Sequence, residues 1–131
     1  MREPAWLSRA VVEAAHHDQI QEHGGLLGVR DEALPESALA RARHRWSFEP
    51  ETDLPSLAAG YGFGLAKNHP FLDGNKRIGF VAMNVFLLIN GLEIEAPEPE
   101  VIAVMLQVAD GSLDEAGLAE WIRSVVVPFE L

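Results

Sequence analysis

The chain has 131 residues, 48% of them apolar, which is enough to bury one core and to fold as a single domain over residues 1–131. It contains no cysteine, so disulfide and thiolate chemistry are excluded, and its net charge of −10 argues against direct binding of nucleic acid. No apolar run is long or pure enough to span a bilayer, and the opening MREPAWLSRA has no signal-peptide pattern. A cytoplasmic protein with no membrane partner is expected.

In chain order, the segment from Trp6 to His23 has Leu7, Val11, Val12, Ala15 and Ile20 at helical spacing. Ser8 is placed to cap it and Gly24-Gly25 to stop it. The next stretch, GGLLGVRD, reads as a glycine-rich flap or a poor hairpin. EALPESALARARHRW predicts a second helix with Leu34, Ala38, Leu39 and Ala42 inward and Pro35 in its first turn. Asp53 and Pro55 open a third helix that runs through SLAAGYGFGLAKN. Gly60, Gly62 and Gly64 each cost it about 1 kcal/mol relative to alanine, which predicts a neighbour packed closely against its backbone.

Pro70 ends that helix near Asn68 or His69. The fourth helix, NKRIGFVAMNVFLLIN, stops at Gly91 and is apolar nearly all round beyond Arg77, so it is the expected central buried helix. LEIEAPEP reads as a short edge strand. Pro99 to Asp110 and Leu113 to Val126 predict the fifth and sixth helices. No alternating run suggests a larger sheet. The fold class is all-α: a compact bundle of about six helices around one buried helix, with a short flap or hairpin. The three tryptophans, Trp6, Trp46 and Trp121, are expected in core or edge packing. His16, His17 and His23 read as surface residues, the Arg41, Arg43, Arg45 and His44 cluster as a solvated helix face, and Leu26 and Leu27 as core contacts.

Chemistry concentrates in KNHPFLDGNKRIGF, residues 67–80. Both lysines of the chain, Lys67 and Lys76, lie there with Arg77, a local positive charge in an acidic protein. A loop of about five residues brings these groups to the N-terminus of the fourth helix, where free backbone amides and the helix dipole favour an anion. Lys76 and Arg77 oppose that dipole, a conflict that an anion at the site relieves. Asp73 is placed either to cap the helix or to ligate a divalent ion bridging phosphates. Asn75 is a donor to oxygen, and His69 is placed to accept a hydroxyl proton. Phe71 and Leu72 are expected to anchor the loop in the core. The pattern suggests transfer of a phosphorus-centred group to a hydroxyl.

These residues resemble the motif of the Fic family, His-x-Phe-x-Asp/Glu-Gly-Asn-Gly-Arg-x-x-Arg, and in particular its death-on-curing (Doc) branch. The chain has His69, Phe71, Asp73, Gly74 and Asn75, then Lys76 in place of the glycine, Arg77, and Phe80 in place of the second arginine. GVRDEALPESAL, LAAGYGFGLAKNHPFLDGNKR and FLLINGLEI also resemble Doc sequences, and the likeness runs from about residue 6 to 123. The resemblance implies a Fic/Doc fold with His69 as catalytic base, Asp73 as Mg²⁺ ligand, Asn75 and the helix amides with Gly74 as anion hole, and Lys76 and Arg77 on the phosphates of ATP. Typical Fic enzymes transfer AMP. Doc-type toxins invert the nucleotide and transfer the γ-phosphate to elongation factor Tu, stopping translation. Lys76 fills the space a glycine leaves, and Phe80 removes a cation that would hold an outer phosphate, so the inverted pose is the expected one. AMP transfer, or a catalytically silent module that binds nucleotide or antitoxin, is the alternative.

No glutamate is followed by glycine or asparagine, so the Ser/Thr-x-x-x-Glu-Gly/Asn inhibitory motif of many Fic enzymes is missing. The resemblance implies control by a separate, Phd-like antitoxin whose C-terminal segment docks in an apolar groove. By analogy, Leu26, Leu27 and the first helix are candidates for that groove, and residues 24–31 stand where Fic proteins place a target-docking flap.

Overall fold

The structure, a computed structural model, describes residues 3–31, 33–68 and 70–130. Its helices in chain order are α1 (Arg9–His23), α2 (Ala33–Phe48), α3 (Leu54–Asn68), α4 (Asn75–Ile89), α5 (Glu98–Asp110) and α6 (Glu115–Val125). This is the expected all-α bundle. Among the described residues no helix is long and apolar enough to cross a membrane.

Local signals set the helix ends. Ser8 Oγ accepts from the Val11 amide at 3.2 Å and starts α1. Gly24, at φ 82°, ends it, and its amide donates to the Ile20 carbonyl at 2.7 Å. Asp53 Oδ1 accepts from the Ser56 amide at 3.0 Å at the start of α3. Its other oxygen, Oδ2, accepts from Arg123 Nε of α6 at 2.9 Å. Partial burial pulls the Asp53 carboxyl up, but the hydrogen bonds from Arg123 and Ser56 outweigh it and hold the group below its ordinary range. Asp114 Oδ1 accepts from the Gly117 amide at 2.7 Å and caps α6.

The short strand expected after α4 is β1 (Leu92–Ile94), and it pairs antiparallel with β2 (Val126–Pro128), Ile94 opposite Val126 and Leu92 opposite Pro128. Val126 therefore leaves the sixth helix, where its apolar spacing had placed it, and joins this ribbon.

The enclosed helix is α3 rather than α4. Eleven of the fifteen residues of α3 are buried, against seven of fifteen in α4. Small residues on two faces explain this. Gly60 and Gly64 lie against Ala42 and Ala38 of α2, while Gly62 lies under the Met83 side chain of α4. Gly79 of α4 in turn approaches the Gly62 carbonyl. Neighbouring helices thus close on α3 from both sides, while α4 keeps Phe80 and Val81 half-buried along a groove. Trp6 stacks on Phe86 with ring centroids 6.0 Å apart and meets Trp46 edge-on, as core-edge packing predicts.

The α2–α3 contact separates two substitutions. A Cβ on Gly64 would lie 3.2 Å from Ala38 Cα, whereas one on Gly60 would meet nothing closer than 3.5 Å. Gly64→Ala is expected to lower stability by about 1–3 kcal/mol through overpacking. Gly60→Ala is expected to be neutral, or to raise stability by up to about 1 kcal/mol through helix propensity. Denaturant unfolding of the two variants checks this, and equal shifts would refute the packing account.

Candidate active site

Residues 70–74 join α3 to α4, and their shape is set by the first residue of α4. Asn75 is buried, and its amide closes on one residue in both directions: Oδ1 accepts from Phe71 N at 3.0 Å and Nδ2 donates to Phe71 O at 3.0 Å. Both ends of the Asn75 amide thus bond within the loop. Phe71 is 2% exposed and anchors the loop as expected. Leu72 does not: it is 49% exposed and lies over Gly28 of the flap.

The α4 N-terminus is open. Gly74 caps it in the left-handed conformation, φ 77° and ψ 17°, with no side-chain hydrogen bond. Asp73 therefore does not act as a helix cap. Its Oδ2 accepts instead from the Leu26 amide at 2.8 Å, and its carbonyl lies 2.7 Å from His16 Nε2. Lys76 is exposed and Arg77 half-buried. Arg77 donates through NH2 to the Gly24 carbonyl at 3.2 Å, while its Nε is buried without a hydrogen-bond partner. A buried guanidinium N–H lacking an acceptor is a donor that an anion at this mouth would satisfy.

Segment 24–31 forms no hairpin of its own. It pairs with the motif loop: Val29 bridges antiparallel to Phe71, Arg30 N donates to Pro70 O at 2.8 Å and Leu72 N donates to Gly28 O at 3.0 Å. Arg30 also donates through NH2 to the Asn68 carbonyl at 2.8 Å, at the end of α3. Leu26 and Leu27, expected in the core, are 66% and 55% exposed on this flap.

The sequence therefore brings Asp73, Gly74, Asn75, Lys76 and Arg77 into one turn, with Asn75 turned inward and the two cations outward. His69 lies outside the described residues. The residue that sequence reasoning missed is His16. Read as a surface group, it is 2% exposed and stacked on Phe71. The available signal was its place in the stripe Val12, His16, Ile20, all buried on one face of α1. His17 and His23 are exposed as expected. Of the arginine cluster, Arg41 and Arg45 pair with Glu115, and Arg43 lies 5.6 Å from the centroid of the Trp6 ring.

A groove of about 570 Å³ opens beside the mouth between α1, α4 and α5. Lys76, Arg77 and Glu98 give it polar walls, while Phe80, Ile102 and Leu106 are among its apolar lining. Among the described residues no three metal-binding side chains cluster, so a cation at this site would rest on Asp73 and on ligand oxygens. One hard carboxylate completed by phosphates is a donor set that suits Mg²⁺.

Known proteins are similar to this chain in sequence. The Fic/DOC family profile matches residues 6–87. "Protein kinase doc" of Escherichia phage P1 is 31% identical over 110 residues, covering 84% of this chain and 86% of that protein. "Toxin Doc" of Mycolicibacterium smegmatis is 39% identical over 74 residues, 56% of this chain and 57% of that protein. The chain belongs to the Fic/DOC family.

The Asn75 clamp has a measurable weight. Asn75→Ala leaves the Phe71 amide and carbonyl without their partner, which is expected to cost about 1–3 kcal/mol. Thermal unfolding, with amide hydrogen exchange at Phe71 and Leu72, checks this; unchanged protection of those amides would show that the clamp does not hold the loop.

Proposed function

We propose that this member of the Fic/DOC family is the toxin of a toxin–antitoxin pair and a kinase. It would transfer the γ-phosphate of ATP to a hydroxyl of a translation factor of the elongation factor Tu type. The observation that carries the proposal is the helix mouth: an α4 N-terminus that no side chain caps, with Lys76 and Arg77 in its first turn. Those cations oppose the helix dipole and are stabilised there by a bound polyanion. The name of the phage relative, a protein kinase aligned over most of both chains, supports the same reaction.

The roles follow from the chemistry of each group. The α4 amides from Gly74 onward and the Arg77 guanidinium hold phosphate oxygens, with Lys76 at the rim. Asp73 carries Mg²⁺, which supplies charge neutralisation along the polyphosphate. His69 takes the proton from the target hydroxyl as its oxygen bonds to the γ-phosphorus, the bond to the β-phosphate oxygen breaks, and ADP leaves. Phe80 stands where the family's second arginine would grip an outer phosphate, which favours the inverted nucleotide over the pose that transfers AMP. The flap, already paired with the motif loop, borders the target's route to the site.

For the antitoxin we assign the groove between α1, α4 and α5. Its apolar lining, with Ile102 and Leu106 half-exposed, suits the apolar face of a folded peptide segment. A segment seated there would lie against Arg77 and Lys76 and so reach the mouth.

ATP labelled separately at the α and γ phosphorus tests the reaction, with a translation factor as acceptor. The γ label is expected on the target and the α label is not; α label on the target would establish AMP transfer instead. His69→Ala is expected to lower the transfer by about 10²–10⁴-fold, the range of a lost general base. Expression of the wild-type chain without a partner is expected to arrest growth, and the His69→Ala chain is not.

A further inference from the structure

His16 lies 57 positions upstream of Asp73, yet it touches the motif loop twice. Its ring stacks on Phe71, with centroids 3.9 Å apart and planes inclined by 13°. Its Nε2 is 2.7 Å from the Asp73 carbonyl oxygen. A carbonyl only accepts, so the proton sits on Nε2 and the imidazole donates. Gly74 is adjacent: a Cβ there would come 3.6 Å from the same nitrogen.

An apolar side chain would fill this position at less cost, because burying a polar ring sacrifices its hydration. The flanking members of the stripe, Val12 and Ile20, are aliphatic. What histidine adds is one N–H aimed at the peptide between Asp73 and Gly74. That peptide is planar and trans, so its carbonyl and its N–H point in opposite directions. Holding the Asp73 carbonyl toward α1 therefore also sets the direction of the Gly74 amide, the first donor at the helix mouth. Gly74 has a left-handed φ of 77° and no side chain to resist rotation of the peptide, so a bond from α1 adds a restraint that this residue does not itself supply.

We propose that His16 is a positioning residue of the phosphate site: its Nε2–H fixes the Asp73–Gly74 peptide, and so the Gly74 amide, for binding of the Mg²⁺–ATP polyphosphate. The proposal rests on the helix mouth being the phosphate site.

Two variants of the full chain separate the contributions. His16→Phe keeps a stacked ring and loses the N–H; His16→Gln loses the ring and keeps an N–H able to reach the carbonyl. Calorimetric titration with ATP in the presence of Mg²⁺ is read beside the thermal unfolding midpoint. His16→Phe is expected to weaken binding by about tenfold, the usual effect of removing a group that orients a ligand-binding residue. His16→Gln is expected to bind close to wild type although it loses the stack, so that affinity follows the N–H and not the midpoint. Wild-type affinity in His16→Phe, or equal weakening in both variants, overturns the proposal. If His16→Phe does not fold, His16→Met replaces it, being close in length to glutamine but without the donor. A wild-type chain that does not bind Mg²⁺–ATP removes the phosphate-site reading and this proposal with it. A wild-type chain that binds while the variants bind equally well removes the His16 role alone.

Discussion

Two hydrogen bonds between the Asn75 amide and the backbone of Phe71 hold the turn on which the site depends. They are buried, where each protein–protein hydrogen bond contributes about 1 kcal/mol and an unpaired polar group would cost more. They fix where α4 begins, and with it which residues occupy the first turn. Phe71 is held face to face with His16, and Asp73 and Gly74 are left at the surface of the turn. Lys76 and Arg77 then face the groove beside α5. A residue of the family motif thus shapes the loop through its side-chain amide.

The loop is tied from outside as well. α1 ends beside it, and the three residues after α1 contribute the Gly24 carbonyl to Arg77, a close backbone approach of Gly25 to Asp73, and the Leu26 amide to the Asp73 carboxylate. Gly28 and Arg30 then add main-chain bonds to Leu72 and Pro70. Flap and motif loop are therefore one unit with two strand-like edges.

What the sequence disclosed was mostly local. Ser8, Asp53 and Gly111 mark helix ends through hydrogen bonds and φ values that span a few residues, and they stand where the pattern put them. The close approaches at Gly60, Gly62 and Gly64 were legible because nothing else accounts for three glycines in one helix. The site turn was legible because its residues are contiguous. Contacts between distant segments were not. β2 is three residues whose partner, β1, lies beyond two helices, so its first residue, Val126, read as the end of α6. The flap looked like a weak hairpin because its partner is the motif loop. His16 sits in a polar stretch, EAAHHDQIQEH, and only the packing of α1 against Phe71 makes it a core residue. The apolar composition of α4 suggested the most enclosed helix, but enclosure follows small residues that admit neighbours, and those are in α3.

Charge placement links these features. The chain is strongly acidic overall, yet Lys76 and Arg77 stand together at the positive end of a helix, with one guanidinium nitrogen buried and unpaired. A bound anion would offset the unfavourable dipole contact of both cations and give the unpaired nitrogen an acceptor. The most direct measurement is the change in backbone amide chemical shifts of ¹⁵N-labelled protein on addition of ATP and Mg²⁺. The account predicts that the largest changes fall on Gly74, Asn75, Lys76 and Arg77. Changes centred elsewhere, such as in the pocket around Trp6 and Tyr61, with the α4 N-terminus unmoved, would contradict it.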